Sequence, residues 1–233
     1  MVMGSAAGER AGIVLAGGRS TRFGDREKAL ATLGGRPLLW HVVARLGTVV
    51  DSVVVNCRRD QRAAFRAAVT TTDTDVAFAV DPDPGQGPAA GLSTALNAVG
   101  EPVVAVTACD MPFIDPAFFA WLCDRRADAG CAGAVPVVDG HLQVTHSVLA
   151  AAPTRVAVDA AAAAGNRSLS GVVARLPVTQ VPAAQTRHRT ARHSFMDVDT
   201  PAELAAARER HRAPRAVDRA HDPGETGVSN AGD

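Results

Sequence analysis

Apolar, β-branched runs at residues 12–16, 52–57, 76–80 and 102–108 alternate with Ala-, Leu- and Arg-rich stretches near 37–46, 59–69 and 89–99. The short runs predict strands and the longer ones amphipathic helices. Alternation of this kind predicts an α/β fold, a three-layer sandwich in which a mainly parallel sheet lies between two layers of helices. Beyond residue 130 the rhythm loosens. Runs at 131–138 and 142–149 flank Asp139-Gly140, a dipeptide that suits tight hairpin turns, so an antiparallel addition to the sheet is expected in the second half. The Ala-rich stretch 156–164 predicts a surface helix. A last helix is expected over 201–211, capped by Asp199 or Thr200, with proline in its first turn and Glu203 close behind. Residues 1–10 are expected to fray, and 213–233 mix Pro, Gly, Asp, Arg and Ser without apolar period and read as a disordered tail. One domain over 11–212 remains.

Composition narrows the function more than the fold. The 233 residues suffice for one sizeable core. Twenty-four basic side chains balance twenty-four acidic ones, so the chain carries no global footprint for nucleic acid or an anionic membrane, and any polyanion site must be local. The start, MVMGSAAGER, has no apolar core of a signal peptide, and no run approaches the length of a membrane span, so a cytoplasmic location is expected. The four cysteines, Cys57, Cys109, Cys123 and Cys131, form no C-x-x-C pair and read as buried thiols. Cys109 stands beside a candidate site residue, Asp110, and reads as a small apolar filler.

The segment LAGGRSTRFGDREKAL, residues 15–30, carries the strongest chemical signal. It follows a strand and is expected to run into a helix, a setting in which glycine backbone N–H groups and the positive end of a helix can approach a phosphate chain. Arg22 and Lys28 add mobile positive charge. The spacing of Gly17, Gly18 and Gly24 fits neither a P-loop nor a dinucleotide fingerprint. In open α/β sheets ligands sit beyond the carboxyl ends of the strands, which places the Leu15 loop, Asn56, Asp81 and Asp110 on one rim. Asp110 closes a buried apolar strand, and a carboxylate there suits a hard cation such as Mg²⁺, which takes one or two carboxylates and fills its other positions with water and phosphate. Taken singly, Asn56 reads first as a strand-end turn residue and Asp81, before Pro82, as a loop cap.

The pattern G-G-x-x-x-R-x-G-x-x-x-K resembles the signature loop of nucleotidyltransferases, and within them the molybdenum cofactor guanylyltransferases, the MobA family. Three further motifs carry the resemblance: VDPDPGQGPAAG, TACDMP and DVDTPAEL. It implies a sheet of the Rossmann-like, nucleotide-diphospho-sugar transferase type. It also implies transfer of GMP from GTP to the terminal phosphate of Mo-molybdopterin, with release of pyrophosphate. On that resemblance Leu15, Ala16, Gly17, Gly18, Lys28, Asn56, Asp81 and Asp110 contact GTP, Arg22, Lys28 and Asp110 are catalytic, and Asp110 holds Mg²⁺. Transient contact with the molybdoenzymes that accept the cofactor, or with their chaperones, is implied as well.

Two departures from the family pattern bear on the acceptor. Asp197 and Asp199 replace the asparagines of N-x-N-T-P, which suits either a second metal contact at Asp199 or helix capping, and Gln143 is followed by Val144 where the family has proline. Arg167 and Asp197 are the acceptor candidates, and the basic stretch 187–193 reads as a solvated turn. The alternatives are a sister enzyme, an adenosylcobinamide-phosphate guanylyltransferase or a molybdopterin cytidylyltransferase, and a nucleotide-binding module without catalysis.

Overall fold

The computed structural model describes residues 10–19, 23 and 27–213. Both expected tails, apart from Arg10 and Ala213, lie outside the described residues, as does Arg22 of the glycine-rich loop. In chain order the strands and helices are β1 (Arg10–Leu15), β2 (Thr32–Leu33), β3 (Arg36–Pro37), α1 (Leu38–Leu46), β4 (Ser52–Cys57), α2 (Arg62–Val69), β5 (Val76–Val80), α3 (Pro88–Leu96), β6 (Val103–Ala108), α4 (Pro116–Asp128), β7 (Gly133–Val138), β8 (His141–Leu142), β9 (His146–Ala150), α5 (Ala151–Ala163), α6 (Leu169–Val173), β10 (Val178–Val181), α7 (Ala183–Arg189) and α8 (Pro201–Arg212). Short 3₁₀ turns cover Lys28–Leu30 and Arg192–Phe195.

The main sheet runs β10-β7-β9-β6-β1-β4-β5, with β8 paired to β7 off this path. β6, β1, β4 and β5 are mutually parallel, as are β7 and β10. β9 runs against both β6 and β7. This is the expected mainly parallel sheet with an antiparallel insertion. Because β9 is reversed, β7 points the same way as β6, so the ends of β1, β4, β5, β6 and β7 share one rim. The chain moves outward from β1 through β4 to β5, then crosses to the other side of β1 to form β6. A crevice forms where the strand order reverses in this way.

Val53, Val54 and Val55 of β4 and Val103–Val106 of β6 are buried whichever face they point to, as helices covering both faces require. On one face α1, α2 and α4 contribute Leu39, Val42, Val43, Leu46, Phe65, Phe118, Phe119 and Leu122. On the other, α3, α5 and α6 contribute Leu92, Ala95, Leu96, Ala157, Val158, Ala161 and Val172. A third cluster joins Leu33 and Leu38 to Phe113, Val198, Leu204 and Ala207, fastening the β2–β3 hairpin to α8.

Several sequence expectations need correction. No α-helix follows the glycine-rich loop among the described residues: Lys28–Leu30 is one 3₁₀ turn, and Gly34 and Gly35, both at positive φ, then turn the chain into the β2–β3 hairpin. Asp139 and Gly140 do form a tight turn at positive φ, but it joins β7 to the two-residue β8, and β9 starts only after the break at residues 143–145. The 187–193 stretch is not a turn; it is split between α7 and the 3₁₀ turn, with Thr186, Thr190 and Ser194 buried against the domain. The Ala-rich helix is longer than expected and half sunk, since Ala157, Val158 and Ala161 face the core. No described helix is long and apolar enough to cross a membrane.

Candidate active site

The cleft begins at the carboxyl end of β1. Ala16 donates its N–H to the Asn56 carbonyl at 3.0 Å, and Leu15 accepts from the Cys109 N–H at 3.1 Å, so the two neighbouring strand ends hold the start of the glycine-rich loop from both sides. Asn56, 2% exposed, donates Nδ2 to Asp81 Oδ1 at 2.6 Å. This pair lies directly beneath Gly17: a Cβ at Gly17 would stand 2.6 Å from Asp81 Oδ2 and 3.1 Å from Asn56 Oδ1. Gly91 presses on the pair from the other side, where a Cβ would come within 2.5 Å of Asn56 Oδ1. Two glycines from unrelated segments therefore permit one polar floor.

Residues Gly85 to Gly91 form the opposite wall. Gly87, at φ +91°, turns the chain so that Pro88 opens α3 at the cleft, with Ala90 and Gly91 also lining it. The helix end that faces the cleft is thus that of α3, after β5, and not one following the glycine-rich loop. With Leu15, Ala16, Gly17, Gly18, Lys28, Asn56, Asp81 and Asp110 the walls enclose about 330 Å³.

Lys28 meets two carboxylates at one corner. Its Nζ makes a short hydrogen bond to Asp110 Oδ2 and a second, at 2.7 Å, to Asp199 Oδ1, across 82 and 171 residues of sequence. Burial alone would lower the pKa of this ammonium, but Asp110 and the hydrogen bonds to Asp110 and Asp199 outweigh it and raise the pKa above the usual lysine value. Lys28 is therefore a fixed cation and no proton shuttle. The Val198 N–H bonds the Asp110 carbonyl at 2.9 Å and so brings Asp199 to the corner. Asp199 does not cap the last helix; Thr200 does, accepting from the Glu203 N–H, while Glu203 accepts from the Asp199 N–H. Asp197 stands beside them, its carboxyl pKa raised by partial burial and by the charges of Asp110, Asp199 and Glu203.

Cys109 is buried, and that burial together with Asp110 pushes its thiol pKa up, in keeping with a small apolar filler. Arg167 lies outside the cleft. Its backbone carbonyl accepts the Ala89 N–H at 3.1 Å, and it lines a shallow neighbouring surface with Pro88 and residues 164–168. Sequence reasoning missed Glu27, Arg58, Gln61 and Thr145. Glu27 and Thr145 line the cleft, while Arg58 and Gln61 hold the glycine-rich loop. Arg58 follows Asn56 by two positions, but nothing in the sequence separates it from Arg59.

Comparison with known proteins agrees with this architecture. The family model described as the MobA-like NTP transferase domain matches residues 12–181, and the chain belongs to that family. The "Probable molybdenum cofactor guanylyltransferase" of Natronomonas pharaonis is 41% identical over 204 residues, covering 87% of this chain and 98% of that protein. The "Molybdenum cofactor guanylyltransferase" of Pseudomonas entomophila is 35% identical, covering 76% and 89%. Among solved structures, Molybdopterin-guanine dinucleotide biosynthesis protein A from Archaeoglobus fulgidus superimposes with a TM-score of 0.70 at 25% identity, covering 86% of this chain and 97% of that one.

Proposed function

We propose that this protein transfers GMP from GTP to the terminal phosphate of Mo-molybdopterin, forming molybdopterin guanine dinucleotide and pyrophosphate in the cytoplasm. The observation that carries the reading is the meeting of Lys28, Asp110 and Asp199 over the same cleft that Gly17, Asn56, Asp81 and the start of α3 enclose. The relatives' names supply the substrates; the geometry supports how they are handled.

The acceptor phosphate is already ionised, so the transfer needs no general base, and catalysis reduces to positioning and charge stabilisation. The Gly18 and Arg19 N–H groups and the start of α3 receive the triphosphate. Lys28, held charged, steadies the phosphates and the departing pyrophosphate, with Arg22 assigned to the same task on the strength of the motif. Two carboxylates converging on one ammonium concentrate negative charge, and this donor set fits Mg²⁺ bound through one or two protein oxygens; Asp110 and Asp199 would hold it. Such an ion supplies charge neutralisation at phosphate oxygens.

The acceptor approaches from the β7–β8 side. An open basin of about 700 Å³ there is lined in part by Asp139, His141, Gln143, Arg192, Met196 and Arg210, and Met196 immediately precedes Asp197 in the chain. Two arginines line it, Arg210 and Arg192, the latter paired with Asp139, and they suit an anionic pterin phosphate better than the shallow surface at Arg167 does. The test is incubation with Mo-molybdopterin, Mg²⁺ and each of GTP, CTP and ATP in turn, with mass detection of the product. A guanine dinucleotide is expected. A cytosine product would point to the sister cytidylyltransferase, and no product with any nucleotide to a module without catalysis.

A further inference from the structure

Beside the glycine-rich loop, Arg58 and Gln61, neither of which lines the cleft, form a compact hydrogen-bonded network that the transfer reaction does not use. Arg58 Nη1 donates to the Gly18 carbonyl at 2.6 Å and to the Gly17 carbonyl at 3.2 Å. Its Nη2 makes a short ion pair with Glu27, the residue before Lys28, and also reaches Asp60 Oδ2 at 3.2 Å, while Nε reaches Asp60 Oδ1 at 3.2 Å. Gln61, 3% exposed, accepts the Arg58 N–H at 2.8 Å and donates to Glu27 Oε2 at 2.8 Å, with a longer contact to the Gly18 carbonyl at 3.4 Å. One guanidinium thus binds both the entry of the loop, at Gly17 and Gly18, and its exit, at Glu27.

The consequence follows from peptide geometry. In a trans peptide the C=O of one residue and the N–H of the next point in opposite directions. With the Gly17 and Gly18 oxygens turned towards Arg58, the N–H groups of Gly18 and Arg19 are turned away from it. Gly17, Gly18 and Arg19 all line the cleft. Glycine peptides flip readily, because both signs of φ are open to them. A fork of fixed donors on their oxygens removes that freedom before any ligand arrives, and a planar guanidinium can do this where a point charge cannot.

We propose that Arg58, with Gln61 as its second arm, is a positioning residue that presets the glycine peptides to receive a polyphosphate. This rests on the nucleotide reading above. Arg58 need not touch the nucleotide; it acts through the Gly17–Gly18 and Gly18–Arg19 peptides and through Glu27.

The test compares the wild-type protein with Arg58→Ala and Arg58→Lys. Calorimetric binding of Mg·GTP and of inorganic tripolyphosphate comes first, followed by KM values for GTP and for Mo-molybdopterin. Both variants are expected to bind both polyphosphates at least about tenfold more weakly, with the KM for GTP rising in step and the KM for the acceptor moving less than about twofold. Lysine keeps the charge and most of the stem, so it serves as the folded control if alanine fails to fold. Full rescue by Arg58→Lys would show that charge alone suffices and would overturn the proposal, as would equal loss of affinity for GTP and acceptor. Variants that bind like the wild-type protein would overturn the clamp and leave the transferase reading intact. A wild-type protein that binds neither polyphosphate would overturn both.

Discussion

At the scale of single residues, the site depends on charges that have been taken partly out of water and paired. Lys28→Ala leaves Asp110 and Asp199 facing each other without their shared cation, and Asp110→Ala removes the better-buried carboxylate of the pair. Each is expected to lower turnover by about a hundredfold or more in steady-state assays, the scale seen when one preorganised electrostatic group is lost. A second residue bears on pH. His146 is fully buried, its ring stacked on Phe119 at 5.2 Å and tilted against Phe195 at 4.6 Å. Burial depresses its pKa to about 3 from an ordinary 6.5. The unfolded chain therefore binds a proton between these values that the native state refuses, so stability is complete above pH 6.5 and falls as the pH drops below it. Relative to pH 8, the loss attributable to this residue at pH 5 is roughly 2 kcal/mol. Denaturant titrations at the two pH values should show that difference shrink in His146→Phe.

At the scale of elements, helix ends and glycines decide where functional groups stand. The reciprocal hydrogen bonds of Thr200 and Glu203 fix the start of α8 and the backbone of Asp199 together. Thr200→Ala is expected to cost about 1 kcal/mol of stability, visible as a fall of about 2–4 °C in Tm. It should also weaken activity through Asp199, and an assay at a temperature well below the transition separates the two effects. In α3, alanine in place of Gly91 would favour the helix by about 1 kcal/mol in propensity. Its Cβ would nonetheless stand 2.5 Å from Asn56 Oδ1 and displace the Asn56–Asp81 pair. Gly91→Ala is therefore expected to keep its helix content by circular dichroism while losing GTP affinity by about tenfold in a binding titration.

At the scale of the whole molecule, the sheet gathers residues that are remote in sequence. β1 lies between β4 and β6, so the loop after β1, Asn56 at the end of β4 and Asp110 after β6 become neighbours, and β5 adds Asp81 beside Asn56. A ligand that bridges these strand ends binds the folded chain alone and must stabilise it. GTP with Mg²⁺ at one hundred times its Kd is expected to add about 2.7 kcal/mol, read as a rise in Tm that chelation of the metal reduces.

Much of this was legible in the sequence because it is local. Strands β4 and β5 begin and end where their β-branched and apolar runs do, although β4 also carries Ser52 and Asn56 and β5, last in the strand order, buries only Ala79 fully. The glycine spacing and the carboxylate before Pro112 marked the rim for the same reason, as short-range constraints on backbone shape. What the sequence could not disclose depends on contacts across tens of residues. The helix expected after the glycine-rich loop gave way to a hairpin, because Leu33 and Leu38 bury against α8, far along the chain. Whether Asp199 or Thr200 caps the last helix was likewise open; only the bond from Val198 to Asp110, which brings Asp199 to Lys28, left the cap to Thr200. Arg58 and Arg59 are adjacent and alike as letters, yet the path of the chain leaving β4 turns Arg58 under the glycine peptides, and a side chain's direction is set by the packed structure and by no pattern along the chain.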